Sequence, residues 1–339
     1  MDTDQLLAQA RTALSRALPD VDAEQIVVMG GTQSRRRSDV LFLGLSDEAP
    51  TRRWVLKVPR PQSRQHDLGP PLDADGQVRA LQRLDAHLSP MAEAFVPRVV
   101  AVLPSVGGYV MEYVDGAPLT AHFGLRALLD DGEVVRGAIE AARVLRLLHA
   151  LEPAAQAHRD LAEIRRSAVS QAEQVLTRAG LPVRAAWLES APLVAAATGT
   201  KVLLHGDFAP ENIVLAVDRT YCLDADLVER DWAEHDVIRF LLMLCDAPLF
   251  VVLGDVPAAR RLRRRAANAF VGSYYGDGAP DPALRPLMLS ALATRWATRH
   301  GDVVAGRPPL ARARLVLLRR HFTRLLDELA APDWPADGC

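Results

Sequence analysis

Hydrophobic periodicity changes once along this chain, at Asp115-Gly116-Ala117-Pro118, and that change limits the folds open to it. Before the turn cluster the apolar runs are short and β-rich: Ile26–Met29, Val40–Leu45, Trp54–Val58, Val99–Leu103 and Gly108–Tyr113. They predict a small antiparallel sheet. An opening helix places Leu6, Leu7, Ala10, Leu14, Ala17 and Leu18 at helical spacing behind Thr3 and Asp4, and stops before Pro19. A second helix runs from about Asp73 to Leu88, with Val78, Leu81, Leu84 and Leu88 on its apolar face. Residues 59–72 between strand and helix read as a Pro- and Arg-bearing loop.

Beyond the cluster, helical periodicity dominates, over about 133–150, 160–180 and 183–197, then Trp232–Leu244, Ala258–Tyr274 and Leu310–Leu329. One β-patterned interruption contains Lys201–Leu204, Ile213–Val217 and Tyr221–Leu223. The tail Pro332–Cys339 reads as frayed. The resulting expectation is an α+β chain of two lobes. Residues 1–114 form a lobe of sheet and helix, residues 115–339 a mainly helical lobe, and a cleft lies at the hinge, about 111–118.

Composition removes several functions. A formal net charge of −2, a pI of about 6.5 and 5% aromatic residues give neither an electrostatic footprint for nucleic acid nor stacking platforms for bases. Three scattered cysteines (Cys222, Cys245, Cys339) without a CxxC fit a reducing compartment and speak against a disulfide scaffold or zinc site. The Met1-Asp2-Thr3-Asp4 start lacks a signal peptide's basic and apolar regions, and Arg239, Asp246 and Pro248 break the most apolar stretch, Val237–Leu253. These features predict a cytoplasmic protein, monomer or homodimer, with no membrane partner.

The chemistry concentrates in His205-Gly206-Asp207-Phe208-Ala209-Pro210-Glu211-Asn212, between the strand-like Val202-Leu203-Leu204 and Ile213-Val214-Leu215. An Asp followed five residues later by an Asn, on a loop between strands, suits phosphoryl transfer to a hydroxyl. The Asp207 carboxylate accepts the hydroxyl proton, and the Asn212 oxygen reaches magnesium on the nucleotide phosphates. Asp224 ends the strand Tyr221-Cys222-Leu223 and offers magnesium a second hard oxygen.

With these residues the sequence resembles the aminoglycoside phosphotransferase family, small-molecule and antibiotic kinases on a protein-kinase-like fold. The resemblance rests on His205-Gly206-Asp207 with Asn212, on Leu223-Asp224, and on Asp231 and Asp236 before an apolar helix. It is tight over about 200–242 and looser but collinear over about 25–150. It implies Asp207 as the catalytic aspartate, Asn212 and Asp224 as ligands of Mg2+, and ATP or GTP as phosphate donor. Asp231 and Asp236 then correspond to structural acids that hold the loop and cap the following helix.

Lys57 lies on the third strand, where kinase-like folds place the lysine that reaches the α- and β-phosphates. Only two of the 40 basic residues, Lys57 and Lys201, are lysine. A chain that otherwise uses arginine has kept the other cation here, and the two differ in geometry. Lys201 has no such context and reads as a surface residue. The glutamate that usually partners this lysine from the following helix is replaced by Gln77. Either Gln77 orients Lys57 through a neutral hydrogen bond, or Asp73 or Asp75 supplies the acid.

The segment Gly30–Ser38 between the first two strands should cover the phosphates, with Ser34 or Ser38 donating to a β-phosphate and Arg35–Arg37 adding positive field. It lacks GxGxxG and reads equally as a solvated basic turn. Backbone groups of Val110–Val114, at Glu112 and Val114, should meet the purine. His158-Arg159-Asp160-Leu161 imitates a protein-kinase catalytic loop but has Arg165 where that loop needs Asn. Asp160 therefore reads as a helix N-terminal acid in a segment that opens a helix instead of following a strand. His149 and His321 read as packing or surface residues.

The acceptor is a small molecule bearing a hydroxyl. The arginine-rich stretch after Asp224 (Arg260, Arg261, Arg263–Arg265, Arg295, Arg299, Arg312, Arg314, Arg319, Arg320, Arg324) disfavours a polycation, whereas Glu211, Asp226, Glu229 and Glu234 near the loop would attract one. The balance points to a nucleoside or macrolide antibiotic ahead of an aminoglycoside, and so to antibiotic resistance. A primary-metabolite kinase (sugar, choline-like or homoserine-like acceptor) and a non-catalytic nucleotide-binding pseudokinase are the alternatives.

Overall fold

Leu6, Ala10 and Leu14, each four residues apart, are buried and face a sheet, which makes α1 (Thr3–Ala17) an amphipathic cover. The structure is a computed structural model that describes residues 3–30, 33–34, 38–46, 52–60, 73–91, 95–152, 155–189, 197–306 and 311–331. After α1 come β1 (Ile26–Val28), β2 (Gln33–Ser34), β3 (Ser38–Leu45), β4 (Arg52–Pro59), α2 (Ala74–Leu88), β5 (Val99–Leu103), β6 (Gly108–Glu112) and the two-residue β7 (Ala117–Pro118). Strands β1, β3, β4, β6 and β5 are neighbours in that order, all antiparallel, with β2 also on β3. Leu41, Leu43, Trp54, Leu56, Leu103 and Val110 meet α1 in one apolar core. Full burial of each such side chain is worth about 1.5–3 kcal/mol.

The chain continues through α3 (Gly132–His149), β8 (Ala155–Arg159), α4 (Leu161–Arg178), α5 (Ala185–Glu189), β9 (Ala197–Leu204), the hairpin of β10 (Ile213–Leu215) and β11 (Thr220–Cys222), and β12 (Val228–Trp232). Five helices close it: α6 (Glu234–Cys245), α7 (Pro248–Leu253), α8 (Pro257–Tyr275), α9 (Leu284–Gly306) and α10 (Ala311–Ala330). The α+β class expected from periodicity is the observed one.

Three local readings are corrected. The helix expected over 183–197 is limited to Ala185–Glu189, and Ala197 already belongs to β9. Alanine content favours a helix there, but Thr198-Gly199-Thr200 pairs with His158-Ala157-Gln156 of β8, and tertiary pairing overrides the local preference. His158 and Arg159 therefore end a strand. Asp160 then caps α4, its carboxylate accepting from the Glu163 amide at 2.9 Å, as a helix N-terminal acid should. Lys201 is half-buried, with its ammonium 4.9 Å from the Trp232 ring centroid. Arg35–Arg37, most of the 59–72 loop, Pro332–Cys339 and the Ser34 side chain lie outside the described residues.

The chain divides into two compact units. One contains Met1–Ala117, His205–Asp207 and Asn212–Val228; the other contains Pro118–Leu204, Phe208–Glu211 and Glu229–Cys339. The first unit thus combines the six-stranded sheet with the segments that bear Asp207, Asn212 and Asp224. In the second, Phe240 and Phe270 stack at 4.0 Å with Phe208 beside them, and Trp187 and Phe322 flank Trp296. No helix of the described residues is long and apolar enough to cross a membrane.

Candidate active site

Antiparallel pairing of β10 with β11 sets Ile213 opposite Cys222, and one step further the Leu223 amide donates to the Asn212 carbonyl at 2.8 Å. That register brings the Asn end of the loop beside the residue preceding Asp224. The loop is also tied down from its other end. The Asp207 amide donates to His205 Nδ1 at 3.2 Å, so the ring carries its proton on Nε2 and donates it to the Leu223 carbonyl at 3.1 Å. Gly206 makes this fold-back possible with φ +88°, a conformation that glycine adopts without a Cβ clash. The Asn212 amide nitrogen donates to the Asp207 carbonyl at 2.9 Å, leaving its Oδ1 as the atom suited to a cation. His205, Asp207 and Asn212 are all buried.

Asp224 has φ 56°, in the left-handed region that Asp tolerates better than most residues. Its Oδ1 lies 2.6 Å from Lys57 Nζ. Lys57 is 6% exposed on β4, directly opposite Tyr109 of β6. Burial alone would lower the Lys57 ammonium, but the Asp224 carboxylate and the Tyr109 phenol outweigh it and hold the group above its usual 10.5. Burial likewise pushes Tyr109 up to about 12, against the pull of Lys57. The Tyr109 hydroxyl donates to Gln77 Oε1 at 3.0 Å.

Two of the lysine's candidate partners on α2 make bonds elsewhere. Asp73 is the N-cap of α2, accepting from the Gly76 amide at 2.8 Å, and Gln77 reaches Tyr109. Tyr109 was missed at the sequence level. Its only signal was a phenol inside an apolar strand, which needs a polar partner when buried. Ser38 is buried where β3 begins. Glu112 pairs with Arg98 at 3.0 Å, and the Glu112 and Tyr113 amides donate to Arg98 and Arg53 carbonyls, so Val114 is the first residue past the sheet. The Asp226 amide donates to the His205 carbonyl, and its carboxylate is near enough to Tyr109 to raise it. Glu211 is exposed, and the side chain of Glu229 lies outside the described residues.

One carboxylate and one amide oxygen, Asp224 and Asn212, fit a magnesium ion that draws its other ligands from phosphates and water. Elsewhere, Asp236 opens α6 and bonds His149 Nε2 at 3.1 Å, while His149 Nδ1 meets the Tyr274 hydroxyl at 2.7 Å. His321 is buried against Arg324 and Phe322. Asp231 accepts from the Trp232 amide and lies 3.4 Å from His235.

Residues 33–270 match the model of the phosphotransferase enzyme family. The chain belongs to that family. The enzyme is a small-molecule kinase, transferring phosphate to a hydroxyl. Sequence comparison with curated proteins gives no match. Among solved structures, a glucosamine kinase is similar with TM-score 0.55 and 17% identity, over 94% of this chain and 84% of that one. A glucosamine kinase holding glucosamine, ADP and inorganic phosphate gives 0.54 and 17%, over 94% and 82%. An amicoumacin kinase with AMP-PNP and Ca2+ gives 0.50 and 12%, over 97% and 94%. At these identities the likeness defines the enzyme's kinase-like fold.

Proposed function

We propose that the enzyme transfers the γ-phosphoryl group of ATP or GTP to a hydroxyl of a small polyhydroxylated molecule of the antibiotic or amino-sugar kind. The Lys57–Asp224 ion pair, in the same unit as Asp207 and Asn212, carries this reading. Lys57 holds the phosphates. Asp207 aligns the acceptor hydroxyl and takes its proton as the oxygen bonds to the γ-phosphorus and the bond to the β-phosphate oxygen breaks, releasing the nucleoside diphosphate. Asn212 and Asp224 would hold magnesium, which neutralises phosphate charge when bound. Positioning and charge stabilisation account for most of the acceleration.

Six of the twelve arginines named after Asp224 are cross-links, and this weakens the acceptor argument. Arg263 pairs with Glu328, Arg265 with Asp131 at 2.5 Å, Arg295 and Arg299 with Asp246 at 2.6 and 2.8 Å, and Arg320 and Arg324 with Asp255. Six cations set against four carboxylates repel an aminoglycoside less than free ones would, so that class stands beside nucleosides and macrolides. The glucosamine and amicoumacin named with the two kinases above add an amino sugar and a further antibiotic to the panel. Nucleotide consumption measured with ATP and with GTP should show magnesium-dependent turnover on at least one acceptor. Nucleotide binding without turnover on every acceptor would replace this reading with a pseudokinase.

A further inference from the structure

A buried ammonium has three donors to satisfy, and Asp224 accepts one from Lys57. Asp224 is also the proposed magnesium ligand, so a second group must fix Lys57 independently. Tyr109 is placed to do so. It is 1% exposed and stands directly opposite Lys57 in the β4–β6 register, so the two side chains are neighbours on one face of the sheet. Because its own hydrogen is given to Gln77 at 3.0 Å, the phenol oxygen has only lone pairs left to offer the ammonium opposite it.

Gln77 is in turn set by the helix. Asp73 caps α2, and Val78, Leu81 and Leu84 anchor it to the core. The order of support runs from helix to amide to phenol to ammonium. Gln77 Oε1 can only accept, so the phenol is the donor in that bond. A neutral holder adds no second negative charge to the one Asp224 already sets against the ammonium, as a helix carboxylate would.

We propose that Tyr109, oriented by Gln77, is a positioning residue that aims Lys57 at the nucleotide phosphates in place of a helix carboxylate. This rests on the reading of Lys57 as the phosphate-binding lysine. Tyr109→Phe keeps the ring and removes the hydroxyl. It should raise the nucleotide KM and the calorimetric nucleotide Kd roughly tenfold, the cost of one hydrogen bond to a charged group, and leave the acceptor KM unchanged. Gln77→Leu should weaken nucleotide binding in the same sense, whereas Gln77→Glu, which keeps an acceptor for the phenol, should stay near wild type.

The decisive measurement is nucleotide Kd in a double-mutant cycle with Lys57→Met. If Tyr109 acts through Lys57, adding Tyr109→Phe to Lys57→Met costs nothing further. A tenfold loss that persists in full in the Lys57→Met background, or an unchanged Kd for Tyr109→Phe alone, overturns the proposal. Should Lys57→Met itself leave binding and turnover at wild-type levels, the phosphate-site reading falls first and this inference with it.

Discussion

Lys57 Nζ and Asp224 Oδ1 lie 2.6 Å apart, joined across 167 residues of sequence. Lys57 is buried on the central sheet, while Asp224 is turned out of its strand end by a positive φ and is partly exposed. The pair gathers the proposed phosphate-binding cation and a proposed metal ligand into one place.

Replacement of this lysine by arginine should not be conservative despite the chain's preference for arginine. A planar guanidinium cannot take the position of a compact ammonium between Asp224 and Tyr109. Lys57→Arg and Lys57→Met should both lower kcat/KM for nucleotide by about 10²–10³, the range for losing one preorganised charge-stabilising donor. Steady-state kinetics at saturating acceptor checks this.

Asp207→Asn keeps size and most hydrogen bonding but cannot take a proton. It should reduce kcat by about 10²–10⁴ while nucleotide binding stays near wild type. Single-turnover phosphate transfer beside calorimetric nucleotide binding separates the two effects.

Asn212→Ala removes the amide that ties residue 212 to the Asp207 carbonyl as well as the proposed cation ligand. The magnesium concentration giving half-maximal activity should rise by about 10–100-fold. A magnesium titration at fixed nucleotide measures it.

Arg159 is 2% exposed, donates to Glu234 at 2.8 Å and Asp281 at 3.1 Å, and lies 4.0 Å over the Trp232 ring. Arg159→Leu leaves two carboxylates facing each other without their cation. The loss should be about 3–5 kcal/mol in urea unfolding, far more than for an exposed pair such as Arg136–Glu133.

Glu234 is raised from 4.5 to about 7, by burial first and by Asp281 second, against the pull of Arg159. Between those values the folded chain holds a proton that the unfolded chain has released. Its contribution to stability is therefore present below 4.5 and is lost as pH rises through that window. Glu234→Gln should flatten this slope, and unfolding free energies at about pH 5 and about pH 8 are the test.

Much of the candidate site was legible in the sequence, because its spacing is local. Asp207 and Asn212 share one loop, and Asp224 ends the next hairpin, so chain order alone brings them together. Lys57 stood out against an arginine background. What misled was local propensity: the alanines before Thr198 favour helix, while the pairing with β8 makes a strand. Six of the arginines after Asp224 looked like part of a cationic surface because their partners, Asp131, Asp246, Asp255 and Glu328, are remote in sequence.

By itself the sequence determined the order of sheet and helices, the spacing of the candidate loop residues and the phosphotransferase family to which they point. These follow from periodicity and short spacings, which act over a few residues. Tertiary structure alone decided what holds Lys57. Register places Tyr109 opposite it, α2 packing brings Gln77 to Tyr109, and a left-handed turn sends Asp224 back across the fold. Each depends on strand pairing and burial between distant segments, where the free energy lies in contacts that no local pattern encodes.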